Sequence, residues 1–171
     1  MTGIRRALVL ADGAPATRSQ LDAAWPGWDE DVDLVVAADG GARLADALGL
    51  RIDRWVGDGD SLGPDGVAEL RRRGVDVDLQ PTDKDATDLE LALEAALAAG
   101  ARLVVILGAL GVPRPDHALA NVALRAPSRH LTCVWYTCVS AGAVLVAGAI
   151  AIVAVALVAL ASVSMLFTVI A

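Results

Sequence analysis

Positive charge is scarce in this sequence of 171 residues. It contains 14 Lys and Arg against 21 Asp and Glu, a formal net charge of -7. A nucleic-acid-binding surface needs clustered Lys and Arg, so this composition argues against one. Cysteine is rarer still, and Cys133 and Cys138 do not supply the ligand set of a structural zinc site. One pair of cysteines in a chain without an N-terminal signal peptide leads us to expect a reducing, cytoplasmic compartment.

Charge is absent altogether from residues 131–171. Within them, residues 141–171 are mainly Ala, Val, Leu and Ile, and this stretch exceeds the roughly 20 residues that span a bilayer as a helix. We therefore predict an α/β domain over residues 1–129 and an apolar tail over residues 130–171. The tail would include a transmembrane helix at about 141–171 that anchors the cytoplasmic domain. A buried core helix and a shifted reading frame are the alternatives.

Apolar runs and helix-like segments alternate up to residue 125. Short apolar runs predict strands at 5–11, 33–38, 54–57, 75–79 and 102–107. Between and after them, apolar spacing and end signals predict helices at 19–25, 42–48, 64–73, from Thr87 to just before Gly100, and 116–125. This alternation favours a mainly parallel, open α/β sheet with helices on both faces, a Rossmann-like fold. The run at 75–79 alternates with Asp, which is typical of a strand near a sheet edge.

Acidic residues concentrate in two loops that follow predicted strands. Asp58 and Asp60 flank a glycine, and Asp85 and Asp88 stand three apart at a predicted helix start. Because the carboxyl ends of parallel strands share one sheet edge, where ligands bind, these side chains are expected to lie close together. Crowded carboxylates that stay ionised usually hold a cation, and Mg²⁺ prefers oxygen ligands. A polar turn and simple helix capping are the alternatives.

Other polar residues are expected at the same edge. Asp39-Gly40-Gly41 places two glycines where a strand turns into a helix, which allows a phosphate to approach the backbone. Lys84 can hold a phosphate that shares the metal, and Thr87 with Glu90 predicts a capping box. The last cluster contains a possible phosphate clamp and three further polar side chains: Arg114, Asp116, His117 and Asn121.

Four ordered motifs give the sequence a family resemblance. Ala38-Asp39-Gly40-Gly41, then Gly57 to Ser61, then Lys84 to Asp88, then Gly108 to Gly111 with Arg114 to Asn121 resemble the catalytic domain of thiamine pyrophosphokinase. The likeness covers about residues 5 to 125. The resemblance implies a parallel α/β sheet, a homodimer, and magnesium-dependent transfer of pyrophosphate from ATP to the hydroxyl of thiamine.

The resemblance also assigns roles to residues. It implies that Asp58, Asp60, Asp85 and Asp88 are catalytic and bind magnesium, with Asp88 a candidate proton acceptor. The predicted ATP and substrate-binding residues are Asp39, Gly40, Gly41, Ser61, Lys84, Thr87, Arg114, Asp116, His117 and Asn121. Family members continue into a small β-sandwich, where this chain has its apolar tail. The alternatives are pyrophosphate transfer to another small alcohol, such as a pterin, and a membrane-anchored, non-catalytic nucleotide-binding protein.

Overall fold

Strands and helices alternate regularly along the first two thirds of the chain. The computed structural model describes residues 6–13 and 17–109, and the backbone of residues 132–139 and 143–146. In chain order the elements are β1 (Arg6–Leu10), α1 (Arg18–Ala24), β2 (Leu34–Ala38), α2 (Gly41–Leu48), β3 (Arg54–Gly57), α3 (Gly63–Arg72), β4 (Asp76–Leu79), α4 (Asp88–Ala98), β5 (Leu103–Leu107), β6 (Thr132–Val139) and β7 (Ala143–Val146). The predicted strands and helices up to residue 107 are confirmed. The helix predicted at 116–125 lies outside the described residues.

The strands form one sheet in the order β4-β3-β2-β1-β5-β6-β7. All neighbours from β4 to β6 are parallel, and β7 alone pairs antiparallel, with β6. From β1 to β4 the chain steps toward one edge, and it then crosses back to place β5 on the other side of β1. Because such crossovers are right-handed, this reversal puts α1, α2 and α3 on one face and α4 on the other. The strand that alternates apolar residues with Asp, β4, lies at the edge, as predicted.

The core has two layers because successive strand residues point to opposite faces of the sheet. On one face Leu8 and Leu10 of β1 belong to a cluster with Leu48 of α2 and Leu70 of α3. On the other face Val9 belongs to a cluster with helix α4. Leu8, Val9 and Leu10 are fully buried, and burying an aliphatic side chain contributes roughly 1.5–3 kcal/mol to folding. This double coverage makes the parallel strands a rigid base for the loops that follow them.

Strand β6 extends the sheet past the predicted domain boundary at residue 129. It lies beside β5, with Leu103 opposite Thr132. Ala143–Val146 forms strand β7, so the helix predicted over residues 141–171 is corrected to a strand at these four residues. The rest of that range lies outside the described residues. Within the stretches that the structure describes, no helix is long and apolar enough to cross a bilayer.

Candidate active site

Three carboxylates converge at the carboxyl edge of the sheet. Asp39 follows β2, and Asp58 and Asp60 follow β3, whose parallel pairing brings the two strand ends together. One oxygen from each carboxylate lies within 4.8 Å of the others. Asp39 is buried, Asp58 is half-buried and Asp60 is exposed. We call Asp39, Asp58 and Asp60 the carboxylate group; its geometry gives a cation access from solvent and ligands from two strands.

Asp39 is the least well compensated member of the carboxylate group. It is 7% exposed, and its buried Oδ1 has no hydrogen-bond partner among the residues that the structure describes. Burial raises the pKa of Asp39, and the charges of Asp88 and Asp60 raise it further, against the lowering effect of the Ser61 hydroxyl. An ionised carboxylate in this position is stabilised by an additional cation.

Asp58 is held in its ionised form by its neighbours. The Asp60 backbone N–H donates to its Oδ1 at 3.0 Å. This hydrogen bond, with the nearby Lys84 ammonium, lowers the pKa of Asp58 against the opposing effect of burial. Asp58 therefore offers an oxygen ligand at neutral pH.

The Lys84 ammonium lies between the two acidic loops. Its Nζ is 3.0 Å from Asp88 Oδ1 and 3.6 Å from Asp58 Oδ2, and the Lys84 side chain is only 15% exposed. Burial alone would lower the pKa of Lys84, but Asp88 and Asp58 outweigh it and raise the pKa. Asp88 Oδ1 nevertheless lacks a well-aligned hydrogen bond, so the contact between Lys84 and Asp88 is mainly ionic. Lys84 stays protonated and links the loop after β3 to the start of α4.

The other predicted residues of the second acidic loop occupy different positions. Thr87 is the N-cap of α4: its Oγ1 accepts from the Glu90 N–H at 3.2 Å, and its own N–H donates to Glu90 Oε2 at 2.8 Å. The predicted capping box is thus confirmed. Asp85 is exposed and, like Asp88, is not among the three carboxylates that meet. The structure therefore adds Asp39 to Asp58 and Asp60, whereas the metal prediction paired those two with Asp85 and Asp88.

The two glycines after Asp39 are closely packed against other residues of the protein. A Cβ on Gly40 would overlap the Asp12 carboxylate, and one on Gly41 would overlap the backbone of Leu10. Gly40 and Gly41 thus allow the segment after β1 to lie against the start of α2. Whether they also bind phosphate stays a prediction.

Arg43 is a neighbour of the site that the sequence analysis missed. It donates to both oxygens of Asp12, at 3.0 and 2.8 Å, and to the Ser61 carbonyl oxygen at 2.9 Å. Ser61 Oγ in turn donates to Asp60 Oδ1 at 3.2 Å. The available signal was that Asp12 follows a predicted strand and Arg43 lies in the first turn of a predicted helix, α2.

A cavity of about 290 Å³ opens beside Asp58. Its lining includes Gly59, Val67, Arg71 and Leu79. Among the described residues, Leu79 is the large apolar side chain that is exposed, with 52% of its surface accessible. The cavity is large enough for a ring-sized group next to the carboxylates. Arg114, Asp116, His117 and Asn121 lie outside the described residues.

The donor set fits a hard divalent cation. All three members of the carboxylate group offer oxygen ligands, and neither Asp39 nor Asp60 forms an ion pair in the part of the chain that is described. The unpartnered Oδ1 of Asp39 is the strongest single indication, because buried polar atoms are normally satisfied. Magnesium, which binds through one or a few carboxylates and substrate phosphates, matches this arrangement.

The sequence model for the family described as thiamin pyrophosphokinase, catalytic domain, matches residues 28–134. This chain belongs to that family. The matched range includes the carboxylate group, Lys84 and Asp88, and it confirms the family resemblance. A comparison with curated proteins gave no match.

Solved thiamin pyrophosphokinases have a similar fold. The Geobacillus thermodenitrificans enzyme is 32% identical with a TM-score of 0.52, over 69% of this chain and 53% of its own. A family protein from Enterococcus faecalis is 30% identical with a TM-score of 0.52, over 69% and 52%. The Bacillus subtilis protein, 23% identical with a TM-score of 0.59 over 77% and 59%, supports the fold alone. This thiamin pyrophosphokinase-family chain thus spans between half and three fifths of their length.

Proposed function

We propose that this chain transfers the pyrophosphoryl group of ATP to the hydroxyl of thiamine, giving thiamine diphosphate and AMP, with Mg²⁺ as cofactor. The observation that carries the proposal is the carboxylate group in a domain of the thiamin pyrophosphokinase family, because no cation among the described residues pairs with Asp39 or Asp60. The substrate hydroxyl oxygen attacks the β-phosphorus, and the bond from that phosphorus to the oxygen bridging to the α-phosphate breaks. AMP leaves with that oxygen.

The residues of the site have different proposed roles in this reaction. Asp39, Asp58 and Asp60 would hold the cation, whose charge offsets that of the triphosphate when bound. Lys84, kept protonated by Asp58 and Asp88, would contact a phosphate oxygen. Asp88 would accept the hydroxyl proton of the substrate. Asp85 would add a further negative charge near the metal. Positioning and neutralisation of charge, rather than a covalent group on the protein, are what this chemistry needs.

The remaining predicted residues are assigned by the family resemblance. We propose that Ser61, Thr87, Arg114, Asp116, His117 and Asn121 contribute to nucleotide or substrate binding, together with the backbone of Gly40 and Gly41. A homodimer is also proposed, and light scattering on the purified chain tests it. Attachment to a membrane stays a prediction that carbonate extraction tests, because residues 147–171 lie outside the described part of the chain.

Nucleotide binding without turnover is the second candidate function. It is favoured by the carboxylate group, which lies within the matched range 28–134 and would hold the metal of a bound nucleotide with or without an acceptor. Transfer to a pterin hydroxyl is the alternative within the same reaction class. Both use the same carboxylate group; the first lacks the transfer step, and the second differs from the leading proposal only in the acceptor.

The deciding experiment measures AMP release by the full chain supplied with ATP, Mg²⁺ and thiamine. AMP and thiamine diphosphate should form in equal amounts, and the Asp60→Asn variant should form both roughly 100-fold more slowly or slower still. Parallel reactions contain a hydroxymethyl pterin, or no acceptor. If the full chain binds ATP with Mg²⁺ but releases no AMP with either acceptor, the enzymatic proposal fails and nucleotide binding replaces it.

A further inference from the structure

Asp39 has a backbone conformation that non-glycine residues seldom adopt. Its φ is 39°, and Asp31 is the one other non-glycine residue with a positive φ in the described part of the chain. Asp31 is exposed, whereas Asp39 is buried. A left-handed conformation at a buried aspartate persists only where the surrounding structure holds it, and such positions cluster at functional sites. The contacts that hold Asp39 are therefore informative.

Strand β3 holds Asp39 at three successive residues. The Trp55 indole Nε1 donates to the Asp39 carbonyl oxygen at 2.9 Å in a buried hydrogen bond. The Asp39 N–H donates to the Val56 carbonyl oxygen at 2.8 Å. A Cβ on Gly57 would lie 2.9 Å from Asp39 Cβ, so glycine is required there for Asp39 to fit. Trp55 is the one side chain among these contacts.

The same indole also lies under the segment that carries Asp58. A Cβ placed on Gly57 would be 3.0 Å from Trp55 Cζ2, and one placed on Gly59 would be 3.9 Å from Trp55 Cη2. Trp55 itself is fully buried. One rigid ring thus occupies the space beside Gly57, lies near Gly59 and is hydrogen-bonded to the backbone of Asp39.

We propose that Trp55 is a positioning residue for the metal ligands: its indole N–H fixes the left-handed backbone of Asp39, so that this carboxylate meets Asp58 and Asp60. The inference rests on the proposed function in that it takes the carboxylate group as a cation site. Trp55 does not touch the cation. Its effect passes through the carbonyl oxygen of Asp39 and the packing under Gly57 and Gly59.

The chain offers a matched control for this proposal. Trp28 is also fully buried, and its indole Nε1 donates at 2.8 Å to Asp22 Oδ1, which is not a member of the carboxylate group. Trp28→Phe and Trp55→Phe therefore remove the same number of atoms and one indole hydrogen bond each. Only Trp55→Phe changes a bond to a proposed metal ligand.

The test is Mn²⁺ binding to the full chain without nucleotide, measured from the loss of the free-ion electron paramagnetic resonance signal. Because a buried hydrogen bond contributes about a factor of five to ten to an equilibrium, Trp55→Phe should weaken Mn²⁺ binding by about that factor. Trp28→Phe should bind Mn²⁺ as the unchanged chain does. Asp39→Asn, which removes the charge, should weaken binding more than either.

Each outcome decides one question. Equal Mn²⁺ affinity in Trp55→Phe and Trp28→Phe would overturn the positioning role. No Mn²⁺ binding by the unchanged chain would overturn the premise that the carboxylate group alone holds a cation, and with it the positioning role, whereas the AMP assay decides the proposed function separately. If Trp55→Phe does not fold, β-(3-benzothienyl)alanine at position 55 keeps the bicyclic shape and removes only the N–H donor. That variant should show the same weakening, and wild-type affinity in it would count against the proposal.

Discussion

Two acidic regions on neighbouring strands of this sheet are compensated differently. At the β4 edge, Asp76 and Asp78 both face Arg54, whose guanidinium nitrogens lie 3.6 and 2.7 Å from their carboxylates. Gln80 Nε2 also donates to Asp78, at 2.6 Å. At the carboxyl edge, Asp39 and Asp60 have no such cation among the described residues. The carboxylates of the first region are paired with a protein cation, whereas Asp39 and Asp60 in the second lack one in the described part of the chain.

This difference shows which acidic pattern indicates a site. Both regions alternate Asp with another residue, Asp58-Gly-Asp60 in one and Asp76-Val-Asp78 in the other. In β4 the alternation places both carboxylates beside the cation of the adjacent strand, because parallel strands in register pair residues side by side. After β3 the strand has ended, and the carboxylates turn toward Asp39. The two regions do not differ in how many acidic residues they contain. They differ in whether a cation among the described residues pairs with those acids.

Removing one metal ligand should have the largest effect. Asp60→Asn is expected to lower kcat/KM for AMP formation roughly 100-fold or more, because it removes an oxygen ligand and a charge from the proposed cation site. Asp76→Asn, the matched change at the β4 edge, should leave kcat/KM within about twofold because Asp78 still faces Arg54. Equal losses in the two variants would contradict the comparison.

Lys84 should separate nucleotide binding from cation binding. Lys84→Gln is expected to raise the KM for ATP about tenfold, the effect of losing one charge-assisted contact to phosphate. Mn²⁺ binding without nucleotide should be unchanged or tighter in this variant, because Lys84 no longer competes for Asp58. Weaker Mn²⁺ binding in Lys84→Gln would mean that the ammonium supports the cation site instead.

Asp39→Asn should stabilise the metal-free protein. Since burial raises the pKa of Asp39 in the folded state, its ionised form destabilises the fold above that pKa, and the penalty disappears as the pH falls below the unfolded value of 3.8. Asn also tolerates the left-handed backbone. Without metal, the melting temperature of Asp39→Asn should exceed that of the unchanged chain at pH 7, by roughly 2–4 °C for each kcal/mol relieved.

Two controls accompany the melting experiment. The gain in Asp39→Asn should shrink as the pH approaches 3.8, and added Mg²⁺ should raise the melting temperature of the unchanged chain alone. A lower melting temperature for Asp39→Asn at pH 7 would show that the ionised carboxylate is already compensated within the protein.

The smallest effect is expected at the β4 edge. Arg54→Gln leaves Asp76 and Asp78 without their cation, but these side chains are 67% and 35% exposed, so water compensates most of the loss. We expect a fall in unfolding free energy of about 1 kcal/mol or less, with kcat/KM unchanged. Chemical denaturation measures the first quantity, and the AMP assay measures the second.

The fold up to β5 could be predicted because its local signals agree with its tertiary structure. Apolar runs such as residues 102–107 and the Thr87–Glu90 capping box each depend on neighbours in sequence. The carboxylate group could be predicted only in part. Asp58 and Asp60 are close in sequence, but the third member, Asp39, comes from β2, and the pairing of β2 with β3 had to be known to choose it over Asp85 and Asp88.

Contacts between residues far apart in the sequence could not be predicted for the same reason. Arg43 meets Asp12, 31 residues earlier, and Trp55 reaches the Asp39 carbonyl oxygen, 16 residues earlier. Helix and strand periodicity relates only residues a few positions apart, so it predicts neither contact. Strand β7 was also missed, because a short apolar run such as Ala143–Val146 fits both a buried helix and a strand.

The return of the chain after β4 has a consequence for the order of folding. The loop that carries Lys84 begins at the edge strand, and the helix that follows it covers the opposite face of the sheet. A nascent chain that has paired only β1, β2 and β3 already holds three repelling carboxylates but lacks the ammonium that Lys84 brings to Asp58. Divalent cations should therefore speed refolding most while α4 is still undocked, acting as a temporary substitute for a contact that the chain forms late.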